Sequence, residues 1–274
     1  MVLGRGASSF HSGQRALENE DEELRMNSGP LPLPERKVAY VRDMFRRIAS
    51  RYDLMNRVMT FGRDKAWRRT TVSRLGLGSQ RTASGAETSS PPKVLDVASG
   101  TGDLAFEALR QNPDAQVIGL DLVAEMLLLA QKKRSTAGFP PFLVGDALRI
   151  PFVDSTFDGV VTGFALRNVT DIPAAFAEMA RVTQPGGRVA CLEIAKPRTP
   201  LFRELFSFYF YRLVPLAGRW ITGDPAAYTY LPHSLTAFLT PDEIADVMRQ
   251  TGWRDVSYKR LMLGTVAIHV GTRI

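Results

Sequence analysis

Val94-Leu95-Asp96-Val97-Ala98-Ser99-Gly100-Thr101-Gly102-Asp103 decides the fold of this 274-residue chain. An apolar strand runs into a glycine-bearing turn, and a helical pattern starts at Leu104. Strand, glycine turn and helix in that order let a ligand approach the backbone closely, and the helix N-terminus favours a negative group such as a carboxylate. A nucleotide-like ligand is expected here. The loop alone does not choose it: Gly100-x-Gly102-x-x-Ala105 also meets the looser dinucleotide fingerprint, so S-adenosylmethionine and NAD stand level, with a merely structural turn as a third reading.

Downstream acids separate the two. Val117-Ile118-Gly119-Leu120-Asp121 places a carboxylate at a strand end about 20 residues on, where its two oxygens can accept both ribose hydroxyls of either cofactor. Val144-Gly145-Asp146-Ala147 puts a second acid at a strand end, suited to the adenine amino group. That acid points to S-adenosylmethionine; its competing reading is a loop or helix-cap acid. The β-rich runs Lys93–Val97, Gln116–Asp121, Pro141–Val144, Phe157–Thr162 and Arg188–Glu193 alternate with segments of helical length. This implies an α/β fold with a parallel sheet covered by helices on both faces. Thr240, Pro241 and Glu243 open a helix to Thr251 as a capping box. Trp253–Leu261 and Thr265–Thr272 then close the sheet as an antiparallel pair.

The succession Asp96, Gly100-x-Gly102, Asp121, Gly145-Asp146-Ala147, Phe157-Asp158 and Pro185-Gly186-Gly187 resembles that of the class I S-adenosylmethionine-dependent methyltransferases. The resemblance implies a Rossmann-like, seven-stranded, mostly parallel sheet with its last strand antiparallel, and makes Pro185-Gly186-Gly187 the turn into the fifth strand. From about Lys37 onward, further blocks resemble the ubiquinone/menaquinone biosynthesis C-methyltransferase family: Tyr52-Asp53-Leu54-Met55-Asn56 with Trp67; Gly163 to Asp171; Arg181 to Gly187 leading to Leu192-Glu193; and Tyr228-Thr229-Tyr230-Leu231 before Ser234. That likeness implies S-adenosyl-L-methionine as cofactor, with contacts at Thr101, Asp121, Asp146 and Ala147; Asp96, Gly100, Gly102 and Leu122 complete the expected cofactor-binding set. It implies Tyr52, Arg167 and Asn168 beside the acceptor, a quinol with an isoprenoid tail on the menaquinone or ubiquinone route. Asp64 and Gly163 depart from the pattern, standing where a His and a Ser are common, and the Asp64 form leans towards the menaquinone branch.

A methyl on a positively charged sulfur needs an electron-rich atom aligned with it and water excluded, without a metal. For a ring carbon beside a hydroxyl, a base or a phenolate-stabilising group belongs close by. Arg167 is the candidate stabiliser, with a salt bridge to Asp171 or another acid as its competing role. His233, in a polar loop-like setting, is one candidate base, against the reading that a lone histidine does no catalysis; His269 packs in the last strand, and His11 lies in the tail.

Composition narrows the alternatives. One cysteine, Cys191, excludes an internal disulfide framework, and three scattered histidines offer no metal cluster. No apolar run reaches membrane-spanning length and no signal-type stretch opens the chain, so a cytoplasmic protein, peripheral at the inner membrane face, is expected. The net charge of +7 suits any polyanion; basic residues are scattered, so nucleic acid is not expected as partner. The chain divides into a disordered tail (1–34), a helical cap (35–77), a flexible loop (78–92) and the catalytic domain (93–274), with a substrate-covering insertion at about 199–235. There, aromatics from Phe202 to Trp220 interleave with Arg203, Arg212 and Arg219. They suit a lid for a long tail or a membrane contact, against a core helix or a homodimer contact. A methyltransferase of RNA or another small molecule is the runner-up; an NAD-dependent oxidoreductase would need a Tyr-x-x-x-Lys arrangement after the fourth strand, which is not evident.

Overall fold

The computed structural model describes residues 34–77, 90–133, 138–222, 224–236 and 238–274. The tail expected at 1–34, with His11, and the loop expected at 78–92 fall almost wholly outside them. The glycine-loop stretch contains β1 (Lys93–Val97), whose alternation divides the interior. Val94 packs on one face with Leu104, Ala105, Ala108 and Val161; Leu95 and Val97 pack on the other with Phe157, Val160, Phe176 and Met179. A strand buried on both faces belongs at the centre of a parallel sheet.

β1 lies between β2 (Gln116–Asp121) and β4 (Phe157–Gly163), parallel to both. β3 (Phe142–Val144) forms the edge beside β2, and β5 (Thr183–Ile194) pairs parallel with β4. β7 (Val266–Arg273) runs antiparallel to β5, and β6 (Trp253–Leu261) antiparallel to β7, giving the order β3-β2-β1-β4-β5-β7-β6. The expected closing pair is present. The chain leaves β1 in one direction and returns to β4 on its other side, which opens a crevice beyond the carboxyl ends of these two strands.

The fifth strand starts earlier than expected, at Thr183 rather than Arg188. Its register with β4 jumps from Phe157↔Thr183 to Gly159↔Arg188, so Pro185-Gly186-Gly187 forms an excursion inside the strand rather than a turn before it. Gly186 has φ +82°, and a Cβ on Gly187 would meet the Asp158 carbonyl oxygen at 2.8 Å. Glycine is required there by backbone crowding.

The N-terminal cap is two helices, α1 (Pro34–Met59) and α2 (Asp64–Ser73). Val41, Met44, Ile48 and Met55 recur at helical spacing on α1 and are buried. α3 (Asp103–Gln111), α4 (Ala124–Lys132) and α5 (Ile172–Val182) follow β1, β2 and β4. The 199–235 segment folds as α6 (Pro200–Phe208), a π turn (Tyr209–Leu213), α7 (Val214–Thr222) and α8 (Pro225–Thr236). These pack on α1 through Phe210, Val214, Ala227, Tyr228 and Leu235. α9 (Pro241–Gln250) opens with the expected capping box between Thr240 and Glu243. Among the described residues no helix is long and apolar enough to cross a membrane.

Candidate active site

Two non-glycine residues adopt left-handed backbone at the crevice: Ala98 (φ +55°) directly after β1 and Phe164 (φ +58°) directly after β4. Such strain collects where a site demands it. Both residues line a cavity beyond the strand ends, together with Gly100, Asp121, Leu122, Gly145, Asp146 and Ala147. Five of the residues expected to hold the cofactor therefore share one chamber. Asp121 Oδ2 accepts from the Gly100 amide at 2.7 Å and Oδ1 from the Val123 amide at 2.8 Å. A carboxylate has about four acceptor sites, so capacity remains for a ligand hydroxyl. Burial pushes the Asp121 carboxyl up, against the pull of these amides. Asp146 Oδ1 accepts from the Leu148 amide at 2.9 Å.

Asp96, Thr101 and Gly102 stand outside this lining. Asp96 is wholly buried beneath the loop, where Oδ2 accepts from Ser99 Oγ at 2.8 Å and from the Ala105 amide at 2.9 Å. Thr101 Oγ1 donates to Asp53 Oδ1 on α1 at 2.6 Å. Gly102, at φ +80°, N-caps α3; a Cβ there would lie 2.6 Å from the Phe142 ring. These three hold the loop in shape from behind. Lys133 Nζ adds to the tie, 2.8 Å from Asp53 and 2.6 Å from Asp103, and Arg68 bridges Asp103 to Asp64. The N-terminal cap is thereby fastened to the glycine loop.

A second cavity, of about 460 Å³, lies between α1, α2 and the 199–235 segment. Its walls are mostly apolar: Met44, Ile48, Trp67, Phe202, Phe206, Tyr209, Phe210 and Val266 among them. Phe61, Leu205, Phe208 and Leu213 both line it and are exposed, forming an apolar mouth. The aromatic segment thus covers a cavity. Phe45, Tyr52, Phe164 and Asn168 line both chambers, so the two meet at a common wall.

Tyr52, Arg167 and Asn168, expected beside the acceptor, all line the larger cavity. Buried polar atoms there lack a hydrogen-bond partner: Asn56 Nδ2, Arg167 Nε and Nη1, Asn168 Oδ1, and the hydroxyls of Tyr228 and Tyr230. Buried polar atoms are nearly always paired, so such a cluster calls for a ligand. The acid beside Arg167 is Glu193, 3.5 Å away and fully buried. Asp171 instead N-caps α5, accepting from the Ala174 amide. Burial raises the Glu193 carboxyl, against the opposing pull of Arg167.

His233 lies outside both cavity linings, with its ring 6.4 Å from that of Tyr211, so the candidate base is not at the site. His269 is buried as expected, with Nε2 2.9 Å from the Pro241 carbonyl oxygen. The sequence reading missed Phe45 and Phe164 at the shared wall, and the Asn56 and tyrosine polar atoms of the larger cavity. Asn56, Tyr228 and Tyr230 do fall in the quoted family blocks, which was the available signal. Among the described residues, no group of His, Cys, Asp and Glu could hold a metal ion.

The ubiE/COQ5 methyltransferase family model matches residues 34–273. The chain belongs to this family. It is 45% identical over 258 residues to a demethylmenaquinone methyltransferase of Roseiflexus castenholzii, covering 90% of this chain and 99% of that one. It is 42% identical over 233 residues to the ubiquinone/menaquinone biosynthesis C-methyltransferase UbiE of Desulfotalea psychrophila, covering 85% and 90%. A SAM-dependent methyltransferase structure from Thermotoga maritima matches with TM-score 0.56 at 19% identity, covering 85% and 99%; at that identity the likeness bears on the fold. The protein is a methyltransferase, and S-adenosyl-L-methionine is its methyl donor.

Proposed function

We propose that the protein methylates a ring carbon of an isoprenoid quinol, demethylmenaquinol in the first place, with the ubiquinone precursor as the related acceptor. The observation that carries this reading is the larger cavity: apolar aromatic walls for a tail, and a cluster of unpartnered buried polar atoms for the oxygens of a ring. The names of the relatives support the substrate class. The smaller chamber suits the donor: Asp121 for the ribose, Asp146 for the adenine amino group, and bare backbone at Gly100 for the amino-acid end. S-adenosylmethionine supplies a methyl group on a cationic sulfur.

Arg167 carries a permanent, planar charge steadied by Glu193, and its free N–H groups stabilise a phenolate oxygen of the acceptor. Asn168 and Tyr52, on the shared wall, orient the ring towards the donor chamber. The aromatic lid excludes water. Its exposed outer side chains, Leu201, Leu216 and Trp220 with Arg203, Arg212 and Arg219 between them, rest on an anionic lipid surface from which the tail enters the apolar mouth. Incubation of the full chain with S-adenosylmethionine and either demethylmenaquinol or the methoxy-benzoquinol precursor of ubiquinone tests the assignment by product mass. Gain of one methyl group on demethylmenaquinol is expected; no gain on either quinol contradicts it.

A further inference from the structure

Methylation of a ring carbon releases a proton, and a group in the cavity must take it. The ring carbon bonds to the methyl carbon with an electron pair of the ring, while the carbon–sulfur bond breaks with its pair onto sulfur. The ring carbon then holds both methyl and hydrogen, and the ring is restored only when that hydrogen leaves as a proton, its bonding pair returning to the ring.

Few lining groups can accept it. Arg68 and Arg167 are permanent cations, and the tyrosines carry phenols like those of the acceptor itself. Burial pushes Tyr228 and Tyr230 further up, away from the ionised form. Among the described residues lining the larger cavity there is no histidine or lysine, and Asp64 is the one carboxylate. Resting on the quinol reading above, we propose that Asp64 is the catalytic base that removes the ring proton.

The surroundings of Asp64 suit that duty. It is the first residue of α2 and only 3% exposed. Its oxygens accept from Thr60 Oγ1 at 3.1 Å and from Arg68 Nη1. Arg68 also sits over the Phe164 ring, 5.9 Å from its centroid, and Phe164 belongs to the wall shared with the donor chamber. The carboxylate is thus linked through Arg68 to the wall shared with the donor chamber. An i,i+4 ion pair on an exposed helix face contributes little; this one is buried against a cavity, with Arg68 Nη1 against the carboxylate. When Asp64 takes the proton, Arg68 is not left alone, because Asp103 lies 3.4 Å from its Nη2. A carboxylate is a weak base, but hydrogen on the saturated carbon of a methylated ring is far more acidic than a phenol.

The test compares wild type, Asp64→Asn and Asp64→Glu, each as the full chain, with demethylmenaquinol carrying hydrogen or deuterium at the acceptor carbon. Asp64→Asn is expected to lower kcat by about 10²–10⁴-fold, with KM for the quinol and calorimetric affinity for S-adenosylhomocysteine unchanged. It should also show a primary deuterium isotope effect absent from wild type, because proton loss has become limiting. Asp64→Glu should recover part of the rate. Full turnover by Asp64→Asn overturns the proposal, as does a loss of rate with no isotope effect and a parallel loss of donor affinity. An inactive wild type removes the quinol reading itself, a result distinct from an inactive variant beside an active parent.

Discussion

Asp96 and His269 are buried groups whose titrations pull stability in opposite directions. Burial raises the Asp96 carboxyl to about 7, opposed by Ser99 and the Ala105 amide. The folded protein holds this proton more tightly than the unfolded chain, so the contribution is full below the unfolded value and is lost as pH rises towards 7. Burial lowers His269 to about 4, so folding excludes its proton and stability is lost as pH falls from about 6.5 towards 4. Between pH 4 and 6.5 the two slopes oppose each other. Asp96→Asn removes one of them, and its unfolding free energy should rise more steeply with pH across this window than that of wild type, as read by urea melts. An unchanged slope contradicts the assignment. Arg167 and Glu193 pose a different question, because the pair is buried and Arg167 is also the proposed phenolate stabiliser. Arg167→Ala leaves a buried carboxylate alone and should cost about 3–5 kcal/mol of stability. The double substitution Arg167→Met with Glu193→Met should restore the stability but not the turnover; recovery of both would remove Arg167 from the chemistry.

The lid shows how an element takes shape from residues that a periodic pattern cannot place. Pro215 has no N–H to donate and its ring crowds the Tyr211 carbonyl one turn earlier. The helix widens just before it, over Tyr209–Leu213, with the Val214 amide reaching back to the Tyr209 carbonyl. That segment carries Tyr209, whose hydroxyl donates to the Met59 carbonyl oxygen at 2.9 Å and ties the lid to the end of α1. Tyr209→Phe should cost about 1 kcal/mol and raise KM for a long-tailed quinol more than for a short-tailed one, measured by steady-state kinetics. Equal effects on both would place the tie outside tail binding.

Much of the sheet is legible in sequence because β1, β2 and β4 are apolar runs bounded by turn residues, and the glycine loop marks the crevice. The excursion at Gln184–Gly187 is not, since a glycine pair reads equally well as a turn before a strand. The site is legible in part. Asp121 and Asp146 follow from strand ends, whereas Arg167, Asn168 and Tyr52 came through family likeness. The tie from Thr101 to Asp53 spans 48 positions and rests on tertiary packing that no local pattern encodes.

At the scale of the molecule, the fold gathers two chambers at one end of the sheet and hangs the lid over the larger. The lid and the mouth carry strongly exposed apolar side chains: Trp220 is 85% exposed, Leu201 79% and Phe61 77%. With a net charge of +7, the protein should co-sediment with vesicles rich in anionic lipid more than with neutral ones. The binding should weaken as salt rises and fall further in Trp220→Ser with Leu201→Ser. Equal recovery with neutral and anionic vesicles would contradict the charge-assisted contact.

The placement that matters most is the donor in the smaller chamber and the acceptor in the larger, on either side of the wall formed by Phe45, Tyr52, Phe164 and Asn168. A crystal structure with S-adenosylhomocysteine and a quinol analogue tests it directly. The nucleoside is expected between Asp121 and Asp146, with the sulfur facing that wall and the quinol ring beyond it beside Arg167. Both ligands in the larger cavity, or the nucleoside bound away from Asp121, would contradict the account.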